Sequence, residues 1–313
     1  KMGRYTETET LAKKALAIYE KNLGPNHPDV ATTLTFLANL YSSQSRYTEA
    51  EPLSKRALSI IKKNLNSDRP DFRTAIILNN RAEQYRNQAR YTEAEPLYKR
   101  ALSIIKNNLG ANSSFEATIL NNLALLYDAQ ARYTEAEPHY KNALSIYKKS
   151  LGPNHPDVAL TLNSLALLYV AQARYSDAEP RYKNALSIIE KNLGPNHPNV
   201  ATLLNNLAHF YAAQARYTEA ELLYKKALSI YKKSLGPDHS KVALSLNNLA
   251  HLYVVQARYT EAEPLYKRAL SNFKKSLGPN HPNVATLLNN LAHFYAAQAR
   301  YTETELLYKK ALS

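Results

Sequence analysis

The chain of 313 residues has no cysteine, no tryptophan, a single methionine and only seven glycines. Without cysteine it has no disulfide frame, no zinc–thiolate or iron–sulfur site and no thiol nucleophile. Seven glycines and fifteen prolines are too few for a collagenous or linker-rich chain. No apolar run reaches the ~18 residues of a bilayer span, so membrane insertion is not expected. Lys1-Met2-Gly3-Arg4 is not a signal peptide. Gly-rich phosphate loops, Gly-x-Ser-x-Gly and His-Glu-x-x-His are missing too. With no converging acid, base and nucleophile, neither enzymatic activity nor a cofactor or metal is expected. Hydrophobic residues make up 45% of the chain and charged residues, 21%, are spread evenly, which excludes disorder.

What the chain does have is a repeat. Arg-Tyr recurs at 4–5, 46–47, 90–91, 132–133, 174–175, 216–217, 258–259 and 300–301. Every interval is 42 residues except one of 44. Gly24, Gly110, Gly152, Gly194, Gly236 and Gly278 keep the register, with Asn66 in the vacant place. All 24 tyrosines fall on four phases of the unit, as expected of residues that pack between copies of one supersecondary element.

Each unit reads as two helices. In 195–236, Leu204, Leu207, Ala208 and Tyr211 form the i, i+3, i+4, i+7 stripe of an amphipathic helix A, about 199–214. Gln214-Ala215-Arg216-Tyr217 makes a turn. Thr218 and Glu221 have capping-box spacing before a helix B with Ala220, Tyr224, Ala227, Leu228 and Tyr231 on one face. Gly236 is expected to be a left-handed C′ residue, and Pro237 bars continuation. Pro52, Pro96, Pro138, Pro180 and Pro264 are placed in the first turn of helix B, where a missing N–H costs least.

Leu-x-x-Leu-Ala-x-x-Tyr followed by Arg-Tyr-Thr-Glu-Ala-Glu and Tyr-Lys-x-Ala-Leu resembles the tetratricopeptide repeat. The 42-residue period, with Leu-Gly-Pro-Asn-His-Pro-Asp-Val between pairs, is similar to the kinesin light chain subtype. The resemblance implies an all-α fold, an α-solenoid in which helix-turn-helix pairs stack into a right-handed superhelix. A leading helix B at 1–24 then precedes seven pairs: 25–66, 67–110, 111–152, 153–194, 195–236, 237–278 and 279–313. Two places depart from the family. Its small helix-A residue is alanine here (Ala124, Ala166, Ala208), and its inter-helix glycine is Ser45, Ala89 or Ala131, both conservative in volume.

The resemblance also implies that the unburied arc of helix A, in one unit Thr202, Asn205, Asn206, His209, Ala212 and Ala213, lines a concave groove. Along the array this arc carries an asparagine ladder: Asn79, Asn80, Asn121, Asn122, Asn163, Asn205, Asn206, Asn247, Asn248, Asn289 and Asn290. Asparagine is a mediocre helix former, so its retention asks for hydrogen bonding. The amides either hold an extended peptide backbone or bind the neighbouring repeat. The next phase holds Leu125, Leu167, His209, His251 and His293. These histidines read as polar lining, since successive helices lie ~8–10 Å apart, too far to share a zinc ion. Val170, Val254, Val255 and Ala212 add apolar surface. His27, His155, His197, His239 and His281 precede helix A as turn or N-cap residues.

The second pair is irregular. Two extra residues lie between Phe72 and Asn79, and Arg81 occupies a position that is leucine elsewhere. Phe36, Arg73, Arg81, Glu83 and Arg86 either form a specificity patch or mark a drifted repeat. A buried, unpaired Arg81 would be costly, so helix 71–88 is expected either to shift or to pair it with a carboxylate.

The net charge of +14 is carried by Lys and Arg pairs on helix B, placed on a solvated outer face. With every tyrosine assigned to packing, no aromatic is left to stack on bases, so specific nucleic-acid binding is not expected. The expected function is a non-catalytic protein–protein interaction scaffold or adaptor with a protein or peptide ligand. By analogy with kinesin light chain the partners include kinesin heavy chain, cargo and tubulin-like surfaces, and the location is cytoplasmic. The alternatives are the sensor or scaffold region of a larger signalling protein, or a cytoskeleton-associated protein using its basic face. The chain opens and closes inside a repeated phrase, which reads as a cut fragment whose ends expose apolar surface for end-to-end association.

Overall fold

A computed structural model describes residues 2–44, 46–64, 72–109 and 113–312. Among these residues there are fifteen helices: α1 (Met2–Leu23), α2 (Pro28–Ser43), α3 (Tyr47–Asn64), α4 (Phe72–Asn87), α5 (Tyr91–Leu109), α6 (Ser114–Ala129), α7 (Tyr133–Leu151), α8 (Pro156–Ala171), α9 (Tyr175–Leu193), α10 (Pro198–Ala213), α11 (Tyr217–Leu235), α12 (Ser240–Val255), α13 (Tyr259–Leu277), α14 (Pro282–Ala296) and α15 (Tyr301–Leu312). They form two compact units, residues 1–153 and 154–313. Within each, an even-numbered helix A packs most closely on the helix B that follows it; α2, α6, α10, α12 and α14 pack next on the helix B before them, whereas α4 packs next on α2. Ser45, Asn66, Gly110, Ala111 and Asn112 lie outside the described residues.

Helix A is buried on two sides, so its apolar arc is wider than one stripe. Leu204, Leu207, Ala208 and Tyr211 are buried as the periodicity predicts, and so are Leu203 and Phe210. Alanines 166, 208, 250 and 292 have no exposed surface, because their small side chains let helices approach closely. Phe210 lies 5.6 Å from Tyr182 and 6.1 Å from Tyr175, and Phe294 repeats this against Tyr266 and Tyr259.

The termini differ from the sequence reading in three ways. First, the Thr-x-x-Glu capping box does not form. Helix B starts at Tyr217, its N-cap is Arg216 without a side-chain cap bond, and Thr218 is already helical. Second, the prolines are consequently the sixth helical residues, as Pro138 is in α7. There each removes the N–H that would bond the carbonyl four residues earlier. Third, the Schellman motif closes helix A rather than helix B. Arg216 N donates to Tyr211 O at 2.9 Å and Ala215 N to Ala212 O at 3.0 Å, the 6→1 and 5→2 bonds of that motif. Its positive-φ residue is alanine: Ala89, Ala131, Ala173, Ala215, Ala257 and Ala299 have φ of 55–58°. Helix B ends on glycine with φ 89° and ψ 155° at Gly236, which is not the left-handed helical basin. The following proline holds the preceding residue at extended ψ, and with positive φ only glycine adopts that combination. The histidines before helix A are N-caps, as expected. The Nδ1 atoms of His27, His155, His197, His239 and His281 accept from the backbone N–H two residues on at 3.1–3.2 Å. Ser113 caps α6 through its hydroxyl oxygen, which accepts from Glu116 N three residues on at 3.1 Å.

Candidate ligand-binding face

The face available to a ligand is set by how successive A helices are held in register. The Tyr211 hydroxyl donates to Glu179 Oε1 at 3.0 Å, and Arg216 Nη1 donates to Glu179 Oε2 at 3.0 Å. Arg216 also lies 3.8 Å from the centre of the Tyr211 ring and forms a two-pronged pair with Glu219. Tyr253, Arg258 and Glu221 repeat this clasp, as do Tyr295, Arg300 and Glu263, and in the first unit Tyr127, Arg132 and Glu95. Arg132 and Arg258 chiefly hold Glu95 and Glu221 down to about 2, while Lys13, Lys183 and Lys267 chiefly do so for Glu9, Glu179 and Glu263. The sequence shows this only as a Glu–Arg spacing of 37 residues, longer than any helix-local rule reads.

The asparagine ladder divides. Asn122 donates to Asn79 at 3.0 Å, Asn206 to Asn163 at 2.9 Å and Asn290 to Asn247 at 3.1 Å. Asn79 and Asn205 are buried, and Asn205 donates to Ser245 Oγ at 2.9 Å. These amides join neighbouring A helices, and Asn79 and Asn205 do not face solvent. Asn121 is half-buried, Asn80 and Asn248 line pockets, and Asn289 is exposed.

In the second unit a pocket of about 140 Å³ lies between α10 and α12. Its mouth carries His209, Ala212, Asn248, His251 and Val255, and no charged residue lines it. His209, His251, His293, Leu167 and Val255 are exposed, and Leu125 is half-buried. Among the described residues no three His, Asp or Glu side chains are grouped to hold a metal ion.

The first unit is chemically different. Between α2 and α4 a pocket of about 370 Å³ is lined by Phe36, Asn39, Asn80 and Arg73, whose guanidinium lies 2.9 Å from Asp29. A second, polar pocket adds Ser42, Glu83, Gln84 and Asn87. Phe36, Arg73 and Glu83 therefore reach the surface, while Arg86 is half-buried 4.0 Å from Glu83. Arg81 does not belong to a surface patch: it is 1% exposed. It fills the volume that Leu123, Leu165 and Leu207 occupy elsewhere, donates to the Tyr85 hydroxyl at 2.8 Å and to Gln84 at 3.3 Å, and lies 3.7 Å from Glu51. The carboxylate that a buried arginine needs is thus supplied. Aromatic surface also remains: Tyr175 is 41% and Tyr301 71% exposed.

A family model described as the tetratricopeptide repeat matches residues 1–63, 73–149, 117–191, 174–233, 199–275 and 241–313. The chain belongs to the tetratricopeptide repeat family. Such repeats are as a rule non-catalytic scaffolds for protein–protein contacts. The search of curated proteins gave no match. Among solved structures, this tetratricopeptide array is similar to BtubC (BKLC) from P. vanneervenii, at 23% identity and TM-score 0.61 over 70% of this chain and 87% of that one. It is similar to the nearly identical TPR-like repeats assigned to a kinesin light chain of Podosopora anserina, at 24% identity and TM-score 0.54 over 63% and 94%. It also resembles a Rap protein complexed with competence and sporulation factor, at 14% identity and TM-score 0.58 over 100% and 97%. At these identities the likeness is one of fold: an all-α solenoid of 42-residue helix pairs. Among the described residues no helix is long and apolar enough to cross a membrane.

Proposed function

We propose that the chain is a kinesin-light-chain-like adaptor that holds an extended polypeptide along the exposed faces of its A helices. The observation that carries this reading is the uncharged pocket between His209 and His251. It offers imidazole and amide groups beside the exposed Val255, a mixture suited to backbone hydrogen bonds and one apolar side chain per repeat. Asn80, Asn248 and Asn289 are the ladder amides that would serve such a ligand, while Asn79, Asn122, Asn163, Asn205, Asn206, Asn247 and Asn290 bond between repeats. Phe36, Arg73 and Glu83 add polar selectivity in the first unit. A second reading, a sensor region of a signalling protein, draws on the whole-length likeness to a Rap protein complexed with a factor.

Photo-crosslinking residues at His251 and Val255, with capture from the native host and mapping by mass spectrometry, test the adaptor reading. The resynthesised segment should bind the chain, and His209→Ala with His251→Ala should weaken it at least ~tenfold, about 1.4 kcal/mol. A captured segment that binds the double variant unchanged defeats the proposal. A small secreted peptide as sole ligand favours the sensor.

A further inference from the structure

In the second unit the two edges differ in charge: the turn edge is balanced, and unpaired cations collect at the other. At the turn edge, where helix A passes into helix B, the clasps are closed electrostatically. Six carboxylates, from Glu179 to Glu303, meet six cations, from Lys183 to Arg300, in pairs at 2.5–3.0 Å. The opposite edge holds the last turns of α9, α11 and α13 and the loops that follow them. Lys191, Lys232, Lys233 and Lys274 stand in those last turns, with Lys241 just beyond. Among the described residues none of the five has a carboxylate within ion-pair distance. Of the acids near this edge, Glu190 is engaged by Lys226 at 3.1 Å and Asp238 by Lys275, and Asp157 at the start of α8 lies 3.5 Å from His155.

Two further observations show that this edge carries an uncompensated field. Lys232 is half-buried, and its ammonium is held below the ordinary lysine range by burial and by Arg268 of the next helix B. Cations of successive repeats therefore repel one another. The B-helix C-termini would partly offset such repulsion, but each also ends in a Gly-Pro loop that adds no acid beyond Asp238.

We infer that the lysine edge of residues 154–313 is a second interaction surface, separate from the A-helix face, that takes an acidic extended polypeptide. The cation type selects this occupant. Lysine ammoniums on flexible stems pair with carboxylates as point charges, whereas phosphate recognition favours the fixed fork of arginine, and Arg268 is the one arginine here. The exposed aromatics, Tyr175 and Tyr301, start B helices at the other edge, so nothing at the lysine edge stacks on bases. A membrane surface is disfavoured because the apolar side chains exposed here, Leu160, Leu193 and Leu244, are single leucines on three separate helices, not the continuous apolar face that accompanies basic residues in interfacial binding.

The test uses the full chain and a fluorescent polyglutamate of roughly twenty residues, titrated at roughly 50 and 200 mM salt. Saturable binding that weakens by at least ~tenfold between the two salts is expected. Lys232→Glu with Lys233→Glu and Lys274→Glu should reduce it by more than ~tenfold, and the matching Lys→Gln set by less, both with an unchanged helical circular dichroism signal. The His209→Ala, His251→Ala variant should bind polyglutamate as the parent does, which separates this surface from the one proposed above. Absence of saturable binding, wild-type affinity in the Glu variant, or tighter binding to a single-stranded DNA or phosphatidylserine vesicles at equal charge overturns the inference.

Discussion

The Tyr211 hydroxyl sits 3.0 Å from Glu179, a carboxylate 32 residues earlier on the preceding helix B. The same carboxylate accepts from Arg216 at the turn, so one glutamate ties a helix A and its turn to the repeat before. Glu221→Gln keeps the shape and removes the charge, and should cost about 1–3 kcal/mol of unfolding free energy in urea, the price of leaving charged hydrogen bonds half made. An equal loss in Glu190→Gln, outside the clasp, would contradict the assignment.

Acid should release the clasps together. Folding lowers Glu9, Glu95, Glu179, Glu221 and Glu263 to about 2, from the ~4.3 of an unfolded glutamate. Between those values the unfolded chain binds more protons than the folded one. Stability is therefore complete above the ordinary carboxyl range and falls as pH drops toward about 2. Urea midpoints measured from pH 7 to pH 2 should be flat above pH ~5 and decline below it.

Alanine in the Schellman position is a built-in strain. Ala215 has φ 58°, and left-handed backbone costs a residue with a Cβ roughly 1 kcal/mol. Ala215→Gly should thus raise stability by up to ~1 kcal/mol despite the added freedom of the unfolded chain. Gly236→Ala should do the reverse by more, although its Cβ would meet nothing within 4 Å, because the cost is in φ and ψ alone. Thermal melts of the two variants should move in opposite directions.

The histidine caps are replaceable by chemistry the chain already uses. His197→Ala should cost about 0.5–2 kcal/mol and His197→Ser much less, since Ser113 caps α6 through its hydroxyl. Equal losses would mean that His197 acts through packing rather than through Nδ1.

Arg81 is the test of the irregular pair. Arg81→Ala leaves Gln84 and the Tyr85 hydroxyl short of a partner and should cost about 3–5 kcal/mol. Arg81→Leu with Gln84→Leu restores the apolar layer of Leu123 and Leu126 and should raise the melting temperature above that of the parent. A drop in both variants would show that the polar cluster is worth more than the leucines.

The sequence made the helices, their pairing and the histidine caps readable because each rests on local spacing: period 3.6, period 42, or a polar residue beside a proline. It misled at the helix-B start because Thr218 and Glu221 have capping-box spacing yet Glu221 points to Tyr253 and Arg258 of the next repeat. Wheel arithmetic placed Asn205 on the open arc, but helix A is covered on two sides and the buried arc reaches it. Volume alone made alanine look equivalent to glycine at position 215, whereas the difference lies in backbone angle. Arg81 was legible as a misfit, and its partner Glu51 only in three dimensions.

Each clasp has its donors in one copy and its acceptor in the copy before. A gene that gains or loses a whole 42-residue module therefore rejoins Tyr and Arg to an equivalent Glu without a compensating change. Unequal recombination between the near-identical copies can thus alter the length of the array while every seam stays intact, so closely related sequences should differ in repeat number more readily than in the residues at the seams.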